Sequence, residues 1–331
     1  MGTKRTRKNY LKYIAAALAV VILITAALLL LETWEKNRGR FEAFETEHDV
    51  VEYEGKEYVK KDGIETFLVI GLDKYKDAMT SDSHSGGGVQ ADFLMLFVFD
   101  NNAKKTTAVQ IDRDTIANVS RLDVGGNKIG TDKKQIALAY NFAYETNGGK
   151  NCRNTADSVS DLLLGVKIDH YISLTMDSVI ELNDLVGGVE LTVLNDFTGI
   201  DDTLVAGETV TLTGEHALTY VRSRYGLEDS TNASRMERQR QYINALTDRV
   251  KVCASSDEEF ILRAADSLKP YLEYDSTDYR LREFAERFDE YEFTGNRQLD
   301  GERNIVDGYV EFHPSESSVY SLVLDLFYVQ K

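Results

Sequence analysis

Five arginines fall between Arg222 and Arg240, in the runs Ala217-Leu218-Thr219-Tyr220-Val221-Arg222-Ser223-Arg224 and Arg235-Met236-Glu237-Arg238-Gln239-Arg240. A guanidinium is a planar fork of donors that matches two oxygens of a phosphate. The cluster therefore suits a small, doubly charged group such as a pyrophosphate. The plainer reading is a set of surface ion pairs with Glu228, Asp229 and Glu237, each contributing little. Two carboxylates stand apart: Asp73 just beyond the first strand-like run and Asp92 just before the second. If those strands are neighbours, both acids converge at one edge of a sheet. Paired hard oxygens there suit Mg²⁺, which takes one or two carboxylates together with substrate phosphates. Aspartates at strand ends also serve simply as turn residues.

The elements that must hold these groups follow from the periodicity. Thr66 to Leu72, Phe93 to Phe99 and Thr106 to Ile111 are continuous apolar runs of strand length, as expected of a sheet covered on both faces. Shorter strands are expected at Tyr171 to Leu174 and Val189 to Val193, and helices at Lys133 to Glu145, Thr155 to Leu164 and Met176 to Leu185. A long helix is expected over Asn232 to Val252, where Ile243, Leu246 and Val250 recur at core spacing. Arg235, Arg238, Gln239 and Tyr242 then share one face in its first turns, near the positive end of the helix dipole, where anions are favoured. Ser256-Asp257-Glu258-Glu259 resembles a capping box opening a further helix, and the tail is apolar from Val319 to Val329. The expected fold class is α/β, a central mixed β-sheet covered by helices.

The amino terminus sets the location. Lys4, Arg5, Arg7, Lys8 and Lys12 precede an uncharged apolar run, Ile14 to Leu31, about 27 Å long as a helix. That is enough to span a bilayer, and the run lacks a small-x-small cleavage site near its end. The expectation is a cytoplasmic tail (1–13), a transmembrane signal anchor (14–31), a stalk with a small hairpin around Gly55 (32–63), and one extracytoplasmic domain (64–331) of a single-pass protein in the cell membrane. The formal net charge is −17 over 331 residues. Residues 1–31 hold five of the 38 Lys and Arg and no acid, so 33 basic residues face all 55 acidic ones beyond. So acidic a domain is a poor match for nucleic acid.

Several patterns carry no chemistry. Gly86-Gly87-Gly88-Val89-Gln90-Ala91 leads into a strand instead of opening a helix after one, so it is not a dinucleotide loop. His84 lacks a nucleophile-elbow motif. Asn147-Gly148-Gly149-Lys150 lacks Walker spacing and reads as a turn. Cys152 and Cys253 are compatible with one extracytoplasmic disulfide and do not require it.

Taken in order, the motifs resemble the LytR-CpsA-Psr family of cell-wall glycopolymer ligases over the whole expected ectodomain. Gly71-Leu72-Asp73, Gln90-Ala91-Asp92, Ile111-Asp112-Arg113-Asp114-Thr115, Asn127-Lys128-Ile129, Leu185-Val186-Gly187-Gly188-Val189 and the arginine segment stand in the family's order. The resemblance implies an enzyme that takes an anionic glycopolymer from an undecaprenyl-pyrophosphate carrier and joins it to peptidoglycan through a phosphodiester. It implies Mg²⁺ held by Asp73 and Asp92. It further implies that Arg113, Arg222, Arg224, Arg235 and Gln239 grip the pyrophosphate or lie beside it, with Lys128 and Arg238 helping around the head group. Asp73, Asp92 and Asp114 are the candidate bases for the acceptor hydroxyl. Helices including Ile136 to Phe142 and Val159 to Leu164 are candidates for a lipid tunnel, and ordinary core packing explains them equally well. Nothing here distinguishes teichoic acid, capsule or another glycan.

The chain departs from the family pattern at three positions: Gln90 replaces an arginine, Asp112 a proline, and Asn232 an aspartate. Two other functions compete with the ligase reading. One is a non-catalytic envelope module that binds polyprenyl-pyrophosphate-linked polymer; the other is a prenyl-pyrophosphate phosphatase.

Overall fold

A computed structural model of the chain describes residues 50–74, 89–123, 127–142, 148–257, 259–275 and 290–331. The chain falls into two units, Met1–Lys60 with Gln330–Lys331, and Lys61–Val329. In the first, β1 (Val50–Tyr53) and β2 (Lys56–Lys60) pair antiparallel with Tyr53 opposite Lys56, the hairpin expected around Gly55. Glu54 and Gly55 have φ of 52° and 74°, as a two-residue hairpin turn matching the strand twist requires. The expected cytoplasmic tail and the apolar run Ile14 to Leu31 lie outside the described residues, among which no helix is long and apolar enough to cross a membrane.

The second unit is built on a six-stranded sheet. Its centre is β3 (Ile64–Leu72), β4 (Ala91–Asp100) and β5 (Lys105–Ile111), the three apolar runs read from the sequence. β3 pairs antiparallel with β4, and β4 antiparallel with β5. After β5 come β6 (Ile116–Leu122), β7 (Lys128–Gln135), a 3₁₀ helix (Ile136–Phe142) and α1 (Gly148–Leu162). Strand β8 (His170–Leu174) then adds parallel to β3. The sheet is thus mixed, as expected. Consecutive residues Leu94, Met95 and Leu96 are all fully buried, so both faces are covered, and each such side chain contributes about 1.5–3 kcal/mol.

Beyond β8 follow α2 (Ser178–Leu185), β9 (Val189–Thr192), β10 (Thr209–Leu212), α3 (Gly214–Arg222), α4 (Asn232–Ser256), α5 (Phe260–Leu268) and β11 (Leu272–Asp275). β12 (Glu292–Gln298), β13 (Gly301–Val306), β14 (Tyr309–Pro314) and α6 (Glu316–Phe327) complete the unit. The order across the sheet is β11-β8-β3-β4-β5-β12. Phe67, Met95, Phe97 and Ile172 pack with Ala265 and Leu268 of α5 on one face. A second cluster joins Val189 and Leu191 to Phe197, Tyr220, Tyr242 and Leu246, and so fixes α3 against α4.

Three local expectations are corrected. The helix expected over Lys133 to Glu145 is strand up to Gln135 and 3₁₀ over Ile136–Phe142, and residues 143–145 lie outside the described residues. Cross-strand pairing of Lys133 with Asn118 and of Gln135 with Ile116 decides this, although the strand is too polar to announce itself. Gly148-Gly149-Lys150 opens α1 instead of forming a turn. Finally, no capping box opens α5: Glu259 at its N-cap makes no side-chain cap bond, and Asp257 Oδ1 instead accepts from the Glu259 amide at 3.0 Å. Both cysteines are free thiols, Cys152 buried and Cys253 partly so. The side chains of Ile136, Ala137, Ala139, Val159 and Leu163 are core residues.

Candidate functional site

β3 and β4 end together, with Leu72 opposite Ala91 and the Asp73 amide donating to the Gln90 carbonyl at 2.9 Å. Asp73 and Asp92 thus stand at the same end of two neighbouring strands, where the sequence places them if the strands pair. Asp73 is exposed, whereas the Asp92 side chain is 16 % exposed and lies between two arginines. Arg113 Nη1 donates to Asp92 Oδ1, and Arg235 Nη1 donates to Oδ2 at 3.0 Å.

Arg113 is aimed by the turn that follows β5. Asp112 Oδ1 accepts the Asp114 amide at 2.9 Å and the Asp112 carbonyl accepts the Thr115 amide at 3.0 Å, an Asx-type turn that leaves Arg113 at its tip. Arg113 Nη2 donates to Gln90 Oε1 at 2.5 Å. Its Nε lies 3.5 Å from Asp114 Oδ1, buried and without a hydrogen-bond partner among the described residues. The C-terminal hairpin braces the same turn: Thr115 bridges Phe312 of β14 in parallel, and the Phe312 amide donates to the Asp114 carbonyl at 2.9 Å.

Arg235 comes from the first turn of α4, whose N-cap Thr231 accepts the Ser234 amide at 3.2 Å. Its Nε and Nη2 both donate to Asn232 Oδ1, at 3.1 and 2.7 Å. Asn232 Nδ2 donates to Asp112 Oδ1 at 2.7 Å, and Arg303 Nη2 of β13 donates to Asp112 Oδ2 at 2.7 Å. Asp112 and Arg303 also line a cavity of about 90 Å³ with Gln110, Gln298 and Asp300. Burial, before any neighbouring charge, holds both Arg113 and Arg235 below the ordinary guanidinium pKa, and the charge of Arg224 lowers both further. Asp73 acts on both in the opposite sense. An anion brought here restores the balance that burial disturbs.

The remaining site candidates divide. Arg224 is partly buried, its Nη2 donating to Tyr225 Oη at 2.8 Å, and Arg222 is exposed at the end of α3. Arg238 and Gln239 do not join Arg235 at Asp92, although all three are buried. Arg238 is fully buried; it donates to the Tyr220 carbonyl at 2.9 Å, to Asn195 Oδ1 at 2.8 Å and to the Ser223 carbonyl. Gln239 donates to the Val221 carbonyl at 3.3 Å and accepts from Gln110. Together they satisfy carbonyls left open at the C-terminus of α3, with Asn195 and Gln110 as further side-chain partners. Lys128 is exposed at the start of β7, and its charge, after that of Arg153, offsets part of the upward pKa shift that burial gives Asp157 of α1. No local pattern marks Arg303, which lies in the run Glu302-Arg303-Asn304.

Among the described residues no group of three His, Cys, Asp or Glu side chains surrounds a metal position, and each Asp92 oxygen already accepts a guanidinium. Asp73 and Asp92 together still fit Mg²⁺ of the kind that completes its oxygen shell with water and substrate phosphates. They do not fit a cation caged by protein alone.

A profile of the LytR_cpsA_psr family matches residues 33–324. The polyisoprenyl-teichoic acid–peptidoglycan teichoic acid transferase TagU of Enterococcus faecalis is 28% identical over 278 residues, covering 80% of this chain and 81% of that protein. Biofilm regulatory protein A of Streptococcus mutans is 25% identical over 77% of this chain and 61% of its own length. Among solved structures, B. subtilis TagV superposes with a TM-score of 0.59 at 22% identity, over 80% of this chain and 96% of that one. TagT bound to LI-WTA does so with a TM-score of 0.57 at 19% identity, over 80% and 90%. The chain belongs to the LytR_cpsA_psr family.

Proposed function

We propose that this protein is a phosphotransferase of the bacterial cell envelope that takes an anionic glycopolymer from a polyprenyl-pyrophosphate carrier and joins it to peptidoglycan through a phosphodiester. The observation that carries the reading is the convergence of Arg113 and Arg235, from the end of β5 and the start of α4, on Asp92 beside an exposed Asp73. Phosphoryl transfer needs charge stabilisation and in-line positioning more than a covalent protein nucleophile, and guanidinium groups held by a buried framework supply both. The transferase names of relatives such as TagU support the same reading.

In the reaction, Arg113 and Arg235 bind and orient the pyrophosphate, with Arg224 and Arg222 on its open side. A bond forms from the acceptor hydroxyl oxygen to the polymer-bearing phosphorus, the bond from that phosphorus to the bridging oxygen breaks, and polyprenyl phosphate leaves with the negative charge. Asp73 receives the hydroxyl proton, because Asp92 is held by two guanidinium groups and Asp114 is 4% exposed. Mg²⁺ held by Asp73 and Asp92 would neutralise phosphate charge. Residues 14–31 anchor the domain to the membrane that carries the donor, with the site on the outer side.

The test uses full-length protein in detergent, a labelled polyprenyl-pyrophosphate saccharide and peptidoglycan oligomers, with Mg²⁺ or a chelator. Label should appear on peptidoglycan and be lost in Arg235→Ala. Release of label without attachment would make the protein a phosphatase, and tight donor binding with neither product would make it a binding module.

A further inference from the structure

We propose that Asp112 is a positioning residue for Arg235, acting through the side-chain amide of Asn232 and held in turn by Arg303. The proposal rests on the reading of Arg235 as a ligand of the pyrophosphate. Arg235 spends two donors on a single acceptor, Asn232 Oδ1, at 3.1 and 2.7 Å. An amide is nearly symmetric in shape, and turned over it would aim its own N–H donors at the guanidinium. The other end of the amide forbids this. Asn232 Nδ2 lies 2.7 Å from Asp112 Oδ1, and a carboxylate only accepts. With a donor-only group on one side and an acceptor-only group on the other, the amide has one orientation.

Asp112 is itself immobilised. It is buried, its Oδ1 also accepts the Asp114 amide at 2.9 Å, and its Oδ2 accepts Arg303 Nη2 at 2.7 Å. Arg303 lies over the Phe312 ring, 4.6 Å from its centroid. The order imposed on Arg235 thus begins in the β13–β14 hairpin and reaches Asp92 through four side chains, Arg303, Asp112, Asn232 and Arg235. Removing the carboxylate frees the amide to turn, and Arg235 then loses the pair of bonds that holds its fork toward the ligand.

The signature is a pair of substitutions that harm singly and compensate together. Asp112→Ser keeps a side-chain oxygen for the Asp114 amide and gives up the reach to Asn232 and Arg303. Asn232→Asp puts two carboxylates at the 2.7 Å spacing now occupied by a hydrogen bond, where they repel and pull Arg235 out of place. In the double variant the new carboxylate meets no rival and holds Arg235 directly. Affinity for geranylgeranyl pyrophosphate, measured by calorimetry on the full-length protein, is expected to fall about tenfold in each single variant and to return to within about threefold of wild type in the double, a coupling of the size seen for residues in one network. Melting temperatures identify any variant that fails to fold. Single losses that multiply in the double variant, or single variants that bind as wild type does, would overturn the proposal. If wild-type protein fails to bind the probe, the pyrophosphate reading falls, and the relay is judged by NMR instead. A slowly exchanging Arg235 Nε–H should be present in wild type, lost in Asp112→Ser and regained in the double variant; its persistence throughout would overturn the relay.

Discussion

Gln90 and Arg113 are joined by a hydrogen bond in which the arginine Nη2 donates to the glutamine Oε1 at 2.5 Å. The amide that stands where the family has an arginine therefore faces its neighbour with its oxygen and supports Arg113 without neutralising it. Gln90→Glu keeps the shape and the acceptor and adds a charge that competes with the ligand for the same guanidinium. Pyrophosphate affinity should fall by about tenfold, the size of one charge-assisted interaction, while the melting temperature holds or rises. Calorimetric titration beside thermal unfolding reads both. Unchanged affinity would mean that Arg113 does not touch the ligand.

Arg238 and Arg224 should separate stability from binding. Arg238 is fully buried with its donors on α3 carbonyls and Asn195. Its removal leaves those acceptors unpaired in the interior, so Arg238→Ala should cost about 3 kcal/mol or more in urea unfolding. Arg224→Ala should leave the unfolding midpoint where it is and weaken donor binding several-fold. The reverse pattern would place Arg238 on the ligand after all.

Asp114 gives a pH dependence with a definite sign. Burial, then the charge of Asp112, raises its pKa despite the nearby Arg113. A carboxyl group whose folded pKa is raised favours the folded state most when protonated, and that contribution is lost as pH rises through the folded value. Asp114→Asn, which mimics the protonated form and keeps the oxygen that accepts Gln135 Nε2 at 3.2 Å, should melt higher than wild type at pH 7. The gap should close as pH falls through the raised pKa toward the ordinary value near 4. Melting curves at pH 7 and pH 4 decide it, and a variant less stable at pH 7 would show that the Arg113 contact outweighs desolvation.

Mg²⁺ that completes its shell with substrate oxygens should bind appreciably only alongside a pyrophosphate. Titrating the protein with Mg²⁺ should give little heat without geranylgeranyl pyrophosphate and a clear isotherm with it, and Asp73→Asn should abolish the second. Equal binding with and without the probe would point to a cage the geometry does not suggest.

The sheet was legible because its central strands, such as Phe93 to Phe99, are apolar runs of strand length, the pattern of strands buried on both faces. The β6–β7 hairpin was not, since Lys128-Ile129-Gly130-Thr131-Asp132-Lys133-Lys134-Gln135 has no apolar period and owes its strand to pairing with residues earlier in the chain. The arginine segment is legible as the start of a long helix, α4, but which of its side chains meet is not. Spacing puts Arg238, Gln239 and Arg235 on one side of the helix, but only packing reveals that α3 ends against that side with its carbonyls open. Arg303 was invisible for a different reason. Its partner lies 191 positions away, and no local pattern encodes such a contact.

The bracing of the Asp112–Thr115 turn by Arg303 and Phe312 also dictates when the site comes into being. Closing a contact across so much sequence costs more chain entropy than a local turn does. A chain that has made β3, β4 and β5 already carries Asp73, Asp92 and Arg113, yet the turn that aims Arg113 stays unbraced until the hairpin near the carboxyl end has been synthesised and has docked. The braced turn, with Arg113 at its tip, therefore belongs only to a chain that already includes residues 301–314.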